Sequence, residues 1–253
     1  MRTARVQGML VAAAAMVFVL APATAARAQG RWPERIWLSA GGGVQTGGTG
    51  VDDAFELPLY TETERVTVDY PLKAGVLVDV RGGYRVWKRV TLGAAVTRFS
   101  QRRSARVQAQ LPHPFFDNQF RRIEGTTSAL RGETGAHLLI GWMQPVSDRL
   151  RILLAAGPSF LNVEQTLVTA VQFSETYPYD TAEFTGATTR RATRGAAGFH
   201  AGADVSWAFG RRLGAGALVQ FTRARVRLDA GDTRRVSIDA GGVQASAGVR
   251  LYF

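Results

Sequence analysis

Apolar and polar residues alternate one by one along most of the chain from about residue 35 to the end. The last stretch, GGVQASAGVRLYF (241–253), keeps this alternation up to a terminal Phe253. Alternation with a period of two places successive side chains on opposite faces of a β-strand. Residues 29–253 contain neither an apolar run of 18 residues nor a segment with helical periodicity, so the pattern predicts an all-β protein.

Turn-forming residues divide the alternating segments into eight strands, and short connections alternate with long ones along the chain. The short turns are predicted at 88–89, 144–148 and 210–212, and the two longest loops at 46–72 and 172–189. Transmembrane barrels show this asymmetry, with short periplasmic turns and longer extracellular loops. The strands are expected at 35–45, 73–87, 90–111, 119–143, 149–171, 190–209, 213–228 and 234–253.

Aromatic residues gather at the strand ends that carry the short turns. In a membrane barrel such a band marks the edge of the lipid layer, whereas the tryptophans of a soluble β-sandwich belong in its core. The five tryptophans include Trp32, just ahead of the first strand. The predicted aromatic girdle consists of Trp37, Tyr84, Trp87, Trp142, Trp207, Phe209, Tyr252 and Phe253.

The alternation also gives each strand an apolar and a polar face. A soluble sandwich would turn the polar face to water, but the sorted aromatic residues favour the inverse, with apolar residues toward lipid and polar residues inside. Charges enclosed in this way must pair or accept hydrogen bonds, so we expect an arginine–carboxylate network. Its predicted members are Asp79, Arg81, Arg85, Arg131, Glu133, His137, Arg151, His200, Asp204 and Arg250.

The final strand carries an apolar or small residue at every second position before its terminal aromatic residue: Val243, Ala245, Ala247, Val249, Leu251 and Phe253. This end resembles the C-terminal assembly signal of bacterial outer-membrane barrels, and the chain resembles the small eight-stranded barrels of the OmpA and OmpX type. The resemblance implies an antiparallel up-and-down transmembrane β-barrel in the outer membrane, which its assembly machinery recognises through the strand ending at Phe253. Only closure of the last strand on the first leaves no unpaired backbone in lipid.

Residues 1–28 are predicted to be a cleaved secretory signal peptide, because basic residues precede an apolar run and then Ala26-Arg27-Ala28. Residues 29–253 would form a single barrel domain. The chain has no cysteine, which excludes disulfides and cysteine metal sites. Without the leader, 28 basic residues stand against 20 acidic ones, a net charge of +8. Export and the scattered positions of the arginines point to anionic lipid rather than nucleic acid as the partner.

Several strands are longer than the 9 to 11 residues that cross a bilayer and should therefore extend outside the cell. Beyond the apolar part of the third and seventh predicted strands, the outward-facing positions carry arginines. These are Arg98, Arg102, Arg106, Arg223, Arg225 and Arg227. Guanidinium groups match phosphate geometry, so we hypothesise a collar that binds lipid phosphates. The alternative is an ordinary solvated wall.

An eight-stranded barrel is filled by its own side chains, so an open aqueous channel is not expected. We expect a monomeric, non-enzymatic protein with a structural or surface-interacting role. A narrow gated channel is one alternative. A lipid-modifying barrel enzyme using His200, Asp204 and Ser206 is another, although residues on one strand lie too far apart to form a triad alone. His137 and His200 lack a metal-ligand spacing, so neither metal nor cofactor is expected. The long loops would carry any specificity for a partner.

Overall fold

The computed structural model describes residues 34–46, 50–230 and 234–253. The predicted signal peptide and Trp32 lie outside these residues. In the described ranges no helix is long and apolar enough to cross a membrane.

The described residues form ten strands. They are β1 (Ile36–Gln45), β2 (Val51–Leu59), β3 (Glu62–Tyr70), β4 (Gly75–Trp87), β5 (Val90–Pro112), β6 (Phe120–Pro145), β7 (Leu150–Glu175), β8 (Ala182–Ala208), β9 (Leu213–Asp229) and β10 (Arg235–Tyr252).

Eight of these strands, β1 and β4 to β10, form a closed antiparallel ring. Strands β1 and β10 close it, with Trp37 opposite Tyr252 at one end of their pairing and Gln45 opposite Gln244 at the other. Closure pairs the backbone of every ring strand at membrane height, as an element surrounded by lipid requires. The prediction of an eight-stranded up-and-down transmembrane barrel is confirmed.

Strands β2 and β3 form a hairpin where the sequence predicted a loop over 46–72. Strand β3 pairs with the distal part of β5, with Val66 opposite Ala109. The hairpin buries Val66, Val68 and Tyr70, and this gain in apolar burial drives the segment into strands. The loop predicted over 172–189 is also shorter than expected, because only six residues separate the end of β7 from the start of β8.

At one height of the barrel the inward-facing residues change from polar to apolar, and the outward-facing residues change from apolar to charged. On β9 the inward-facing Gln220 is followed by the inward-facing Val226 and Leu228, while the outward residue changes from Phe221 to Arg223. The alternation of inward and outward positions is unbroken. The inward face of the strand therefore lines the polar lumen at one end and packs into an apolar core at the other. We call the part with the polar interior the membrane barrel, and the part with the apolar interior the stem.

The stem consists of the distal parts of β5 to β10 together with the β2–β3 hairpin. Its core is mainly aliphatic and includes Val68, Val107, Leu167 and Leu228, each at most 1% exposed. The membrane barrel, in contrast, exposes valines outward: Val76, Val78 and Val80 are 52–65% exposed. Burial of apolar area therefore stabilises the stem in water, whereas the outer face of the membrane barrel is matched to acyl chains.

Candidate functional site

The polar residues predicted for the lumen do lie inside the membrane barrel. Nine of the ten are at most 6% exposed, and Arg85, near the short turns, is half-buried. The buried nine are Asp79, Arg81, Arg131, Glu133, His137, Arg151, His200, Asp204 and Arg250.

A buried ion pair lies at the upper end of this lumen. Arg131 Nε donates to Glu133 Oε1 at 2.8 Å, and the second carboxylate oxygen accepts Gln45 Nε2 at 3.0 Å and the backbone N–H of Gly241 at 2.9 Å. Arg131 also donates to the backbone carbonyl of Asp239 at 2.7 Å. The Glu133 carboxylate is thus held by three donors from three strands, which offsets much of the cost of burying its charge.

From Gln45 a chain of side-chain hydrogen bonds runs down the lumen. Gln244 Nε2 donates to Gln45 Oε1 at 2.8 Å, and Gln220 Nε2 donates to Gln244 Oε1 at 3.2 Å. Arg81 donates to Gln220 at 3.5 Å and to Asp79 at 3.3 Å. None of the three glutamines was among the predicted members of the network, which were charged residues and histidines, although each glutamine lies at an inward position of its strand.

Near the short turns the lumen is closed by two further charged contacts. Arg250 donates to both carboxylate oxygens of Asp204, at 3.3 and 2.5 Å. The guanidinium of Arg151 lies 3.9 Å from the ring centre of Tyr252 and 3.8 Å from Glu34. The side chains of the protein therefore fill the passage at both levels.

Two histidines share one hydroxyl in the middle of the lumen. Ser159 Oγ lies 2.8 Å from His137 Nδ1 and 3.0 Å from His200 Nδ1, and Thr97 Oγ1 lies 3.0 Å from His137 Nε2. A hydroxyl beside an imidazole can act as a nucleophile in a site that admits substrate. Ser159 is 5% exposed, and its hydroxyl bridges the two imidazoles inside the barrel.

The three residues considered for a lipid-modifying enzyme do not form a relay. Asp204 is bound by Arg250, and His200 is bound to Ser159. Ser206 is buried in the lumen. In the part of the chain that the structure describes, no three His, Cys, Asp or Glu side chains are grouped to hold a metal ion.

Six of the eight residues predicted for the girdle lie exposed on the outer face at the short-turn rim: Tyr84, Trp87, Trp142, Trp207, Phe209 and Phe253. Trp37 and Tyr252 differ from the prediction. They lie at the same rim but face inward, 6% and 3% exposed, and pack with Leu139 and Leu153. Successive residues of a strand point to opposite faces. The outward positions here are therefore held by their neighbours in sequence, such as Leu38 and Phe253.

The six arginines predicted as a lipid collar all point outward and are exposed. Strands β5 and β9 are four places apart in a ring of eight, so the arginines form two columns on opposite sides rather than a continuous band. We call Arg98, Arg102 and Arg106 the β5 column, and Arg223, Arg225 and Arg227 the β9 column. Asp239 lies 3.2 Å from Arg223 and 3.5 Å from Arg225, which leaves the β9 column with excess positive charge.

Two clefts open beside the β9 column, beyond the point where β1 ends at Gln45. Among the described residues, 235–242 of β10 are paired with β9 alone. The lower cleft, about 210 Å³, is lined by Phe221, Arg223, Gly241 and Gly242 among others. The upper cleft, about 290 Å³, lies between β2 and β10 and includes Arg225 and Arg227. Together they place the ring of Phe221 below and guanidinium groups above, and Asp52 and Asp239 also line them.

No protein-family model matches the chain, and no curated protein matches it. Among solved structures it is similar to the outer membrane protein OprG from Pseudomonas aeruginosa, with 7% identity over 87% of this chain and 96% of that one and a TM-score of 0.50. It also matches Ail, the attachment invasion locus protein of Yersinia pestis, alone and with the heparin analogue sucrose octasulfate. Identities there are 9% and 10%, over 87% of this chain and 97% of Ail, with TM-scores of 0.34 and 0.36. The chain therefore has the fold of eight-stranded outer-membrane β-barrel proteins.

Proposed function

We propose that this chain is a non-enzymatic protein of the bacterial outer membrane that holds a rigid stem outside the cell and binds the phosphate groups of outer-leaflet lipids with its two arginine columns. The membrane barrel anchors the stem, and its filled lumen conducts no solute.

The observation that carries the proposal is the abrupt change on the outer wall. Val96 is followed on the outward face of β5 by Arg98, and Phe221 is followed on β9 by Arg223. The first guanidinium of each column therefore stands one outward position, about 7 Å, above the last apolar side chain. This is the depth at which lipid phosphates lie, and guanidinium forks bind phosphate through paired hydrogen bonds.

The lower cleft supports the β9 column as the stronger of the two sites. Gly241 and Gly242 line this cleft together with Phe221 and Arg223 and contribute no side chain to it. An anionic lipid would place acyl carbons against Phe221 and its phosphate on Arg223. The three arginines of the β9 column outnumber Asp52 and Asp239, the two acidic residues that line the clefts, which favours an anionic headgroup.

The test compares two triple variants in vesicles with and without a phosphorylated glycolipid. In R223Q/R225Q/R227Q we expect less co-purified glycolipid and greater sensitivity to detergent, whereas R65Q/R122Q/R190Q, with the same loss of charge far from the apolar band, should match wild type. Addition of inorganic phosphate distinguishes headgroup binding from a free-phosphate site. Unchanged lipid retention and detergent sensitivity in the β9 variant would reject the proposal.

The absence of catalysis is tested separately by mass spectrometry of membrane lipids from cells with and without the protein. We expect identical lipid species. A modified lipid that appears only with the protein would favour the enzymatic alternative instead.

A further inference from the structure

The far end of the stem carries a row of aromatic side chains that the membrane barrel and the arginine columns do not use. Phe115 and Phe116 lie in the loop between β5 and β6, and Tyr177 and Tyr179 lie in the loop between β7 and β8. Phe115, Phe116 and Tyr177 are 70%, 55% and 82% exposed. Large aromatic side chains so exposed in neighbouring loops mark an interaction surface.

The rings are in contact with one another across the two loops. The ring centres of Phe115 and Tyr179 are 5.5 Å apart and those of Tyr177 and Tyr179 are 6.0 Å apart, both edge to face. The imidazole of His113 lies 4.8 Å from the ring of Phe116. We call these five residues the aromatic row.

Buried polar groups fix the backbone beneath the aromatic row. His113 Nδ1 accepts the backbone N–H groups of Phe115 at 3.1 Å and Phe116 at 3.2 Å. Arg121 donates to the carbonyl of Pro112 at 2.8 Å and to that of Tyr179 at 3.0 Å, which joins the two loops. The rings are therefore held in place before any partner arrives, and this lowers the entropy cost of binding.

The surroundings of the row are acidic although the chain as a whole is strongly basic. The segments PHPFFDNQ (112–119) and TYPYDTAE (176–183) contain Asp117, Asp180 and Glu183 but neither lysine nor arginine. All three carboxylates are exposed, and the Asp180 side chain is 72% exposed. The nearest arginine in sequence, Arg121, is buried and engaged by the loop carbonyls.

We infer that the aromatic row is a docking surface for an arginine-rich segment of another protein. Guanidinium planes stack on aromatic faces, and the flanking carboxylates supply the complementary charge. An acidic or phosphorylated partner would be repelled here and attracted to the arginine columns below. A neutral sugar would stack on the rings but would gain nothing from the carboxylates.

The experiment measures binding of a fluorescent nona-arginine peptide to the full chain in nanodiscs of zwitterionic lipid. We expect saturable binding that weakens with salt and exceeds the binding of nona-lysine. Phe115→Ala combined with Tyr177→Ala should weaken it about tenfold, as loss of aromatic anchors does at other interfaces. Asp117→Asn combined with Asp180→Asn should weaken it at low salt and abolish most of its salt dependence.

Two matched controls lie at the same end of the stem. Phe120→Ala removes a ring that is 53% exposed but outside the aromatic row, and Glu124→Gln removes an exposed carboxylate paired with Arg122. Both should bind the peptide as wild type does, and all variants should keep heat-modifiable migration as evidence of folding. Equal binding by the row variants, no binding by wild type, or binding of a neutral oligosaccharide in place of the peptide would each overturn the inference.

Discussion

Gly241 donates its backbone N–H to the buried carboxylate of Glu133 across the inside of the barrel, over 2.9 Å. This bond lies at the height where β1 ends and the interior changes from polar to apolar. Arg131 binds the same carboxylate and the carbonyl of Asp239, so one ion pair on β6 holds β10 at the junction of membrane barrel and stem.

Removal of the Glu133 carboxylate should strongly destabilise this junction. In Glu133→Ala the guanidinium of Arg131 stays buried without its counter-charge, which costs about 3–5 kcal/mol. Urea unfolding from lipid vesicles, followed by tryptophan fluorescence, measures the loss. Glu183→Ala, which removes an exposed carboxylate, serves as the control, and a loss below about 1 kcal/mol in Glu133→Ala would contradict the role given to the pair.

Gly241→Ala should weaken the same junction through the backbone. Gly241 has φ +89°, which side chains disfavour, and an added Cβ would lie 2.2 Å from the carbonyl oxygen of Thr222. We expect a loss of at least about 1 kcal/mol in the same unfolding measurement. Gly210→Ala, where an added Cβ meets nothing within 4 Å, should unfold like wild type, and equal stability of both variants would count against a strained junction.

The strands of the ring could be predicted from the sequence because each combines alternation with a turn signal at its end. The β2–β3 hairpin could not, since it turns at Tyr60-Thr61 without glycine, and Tyr60 adopts the positive φ of 56° itself. The charged residues of the lumen could be predicted because a charged residue on the polar face of a strand is easily recognised in the sequence. Gln45, Gln220 and Gln244 carry no charge, and only the closure of β10 on β1 brings Gln45 and Gln244 together.

Which outward positions of β9 face lipid can be tested by adding one charge. Ala217 faces outward near the middle of the apolar segment 213–221, so Ala217→Arg should cost about 2–4 kcal/mol in vesicles, as arginine does at the centre of a lipid-facing wall. Ala54→Arg adds the same charge to the exposed outer face of β2 in the stem, opposite Thr67, and should change stability by no more than about 0.5 kcal/mol. Similar costs at both positions would move the membrane boundary away from Arg223.

Acid should loosen the loops that carry the aromatic row, and Glu175 is the group responsible. Desolvation raises the pKa of Glu175, but hydrogen bonds from Tyr60 and Arg121 and the charge of Arg121 outweigh it, so the pKa lies below its ordinary value of 4.5. A carboxylate with a lowered pKa stabilises the folded state above its ordinary pKa, and this contribution is lost as the pH falls through the folded value. Hydrogen exchange at the Tyr179 amide, which donates to Thr176 at 2.8 Å, reports on the loop.

We expect this amide, after correction for intrinsic exchange rates, to keep its protection from pH 7 down to about 5 and to lose it below 4.5. Glu175→Gln removes the ionisable group, so its protection should be lower at pH 7 and nearly independent of pH. The buried carboxyls Asp53 and Glu64, whose pKa values are raised by desolvation, act in the opposite sense and are present in both proteins, so they cancel in the comparison. A Gln variant that loses protection in acid as steeply as wild type would show that another group controls the loops.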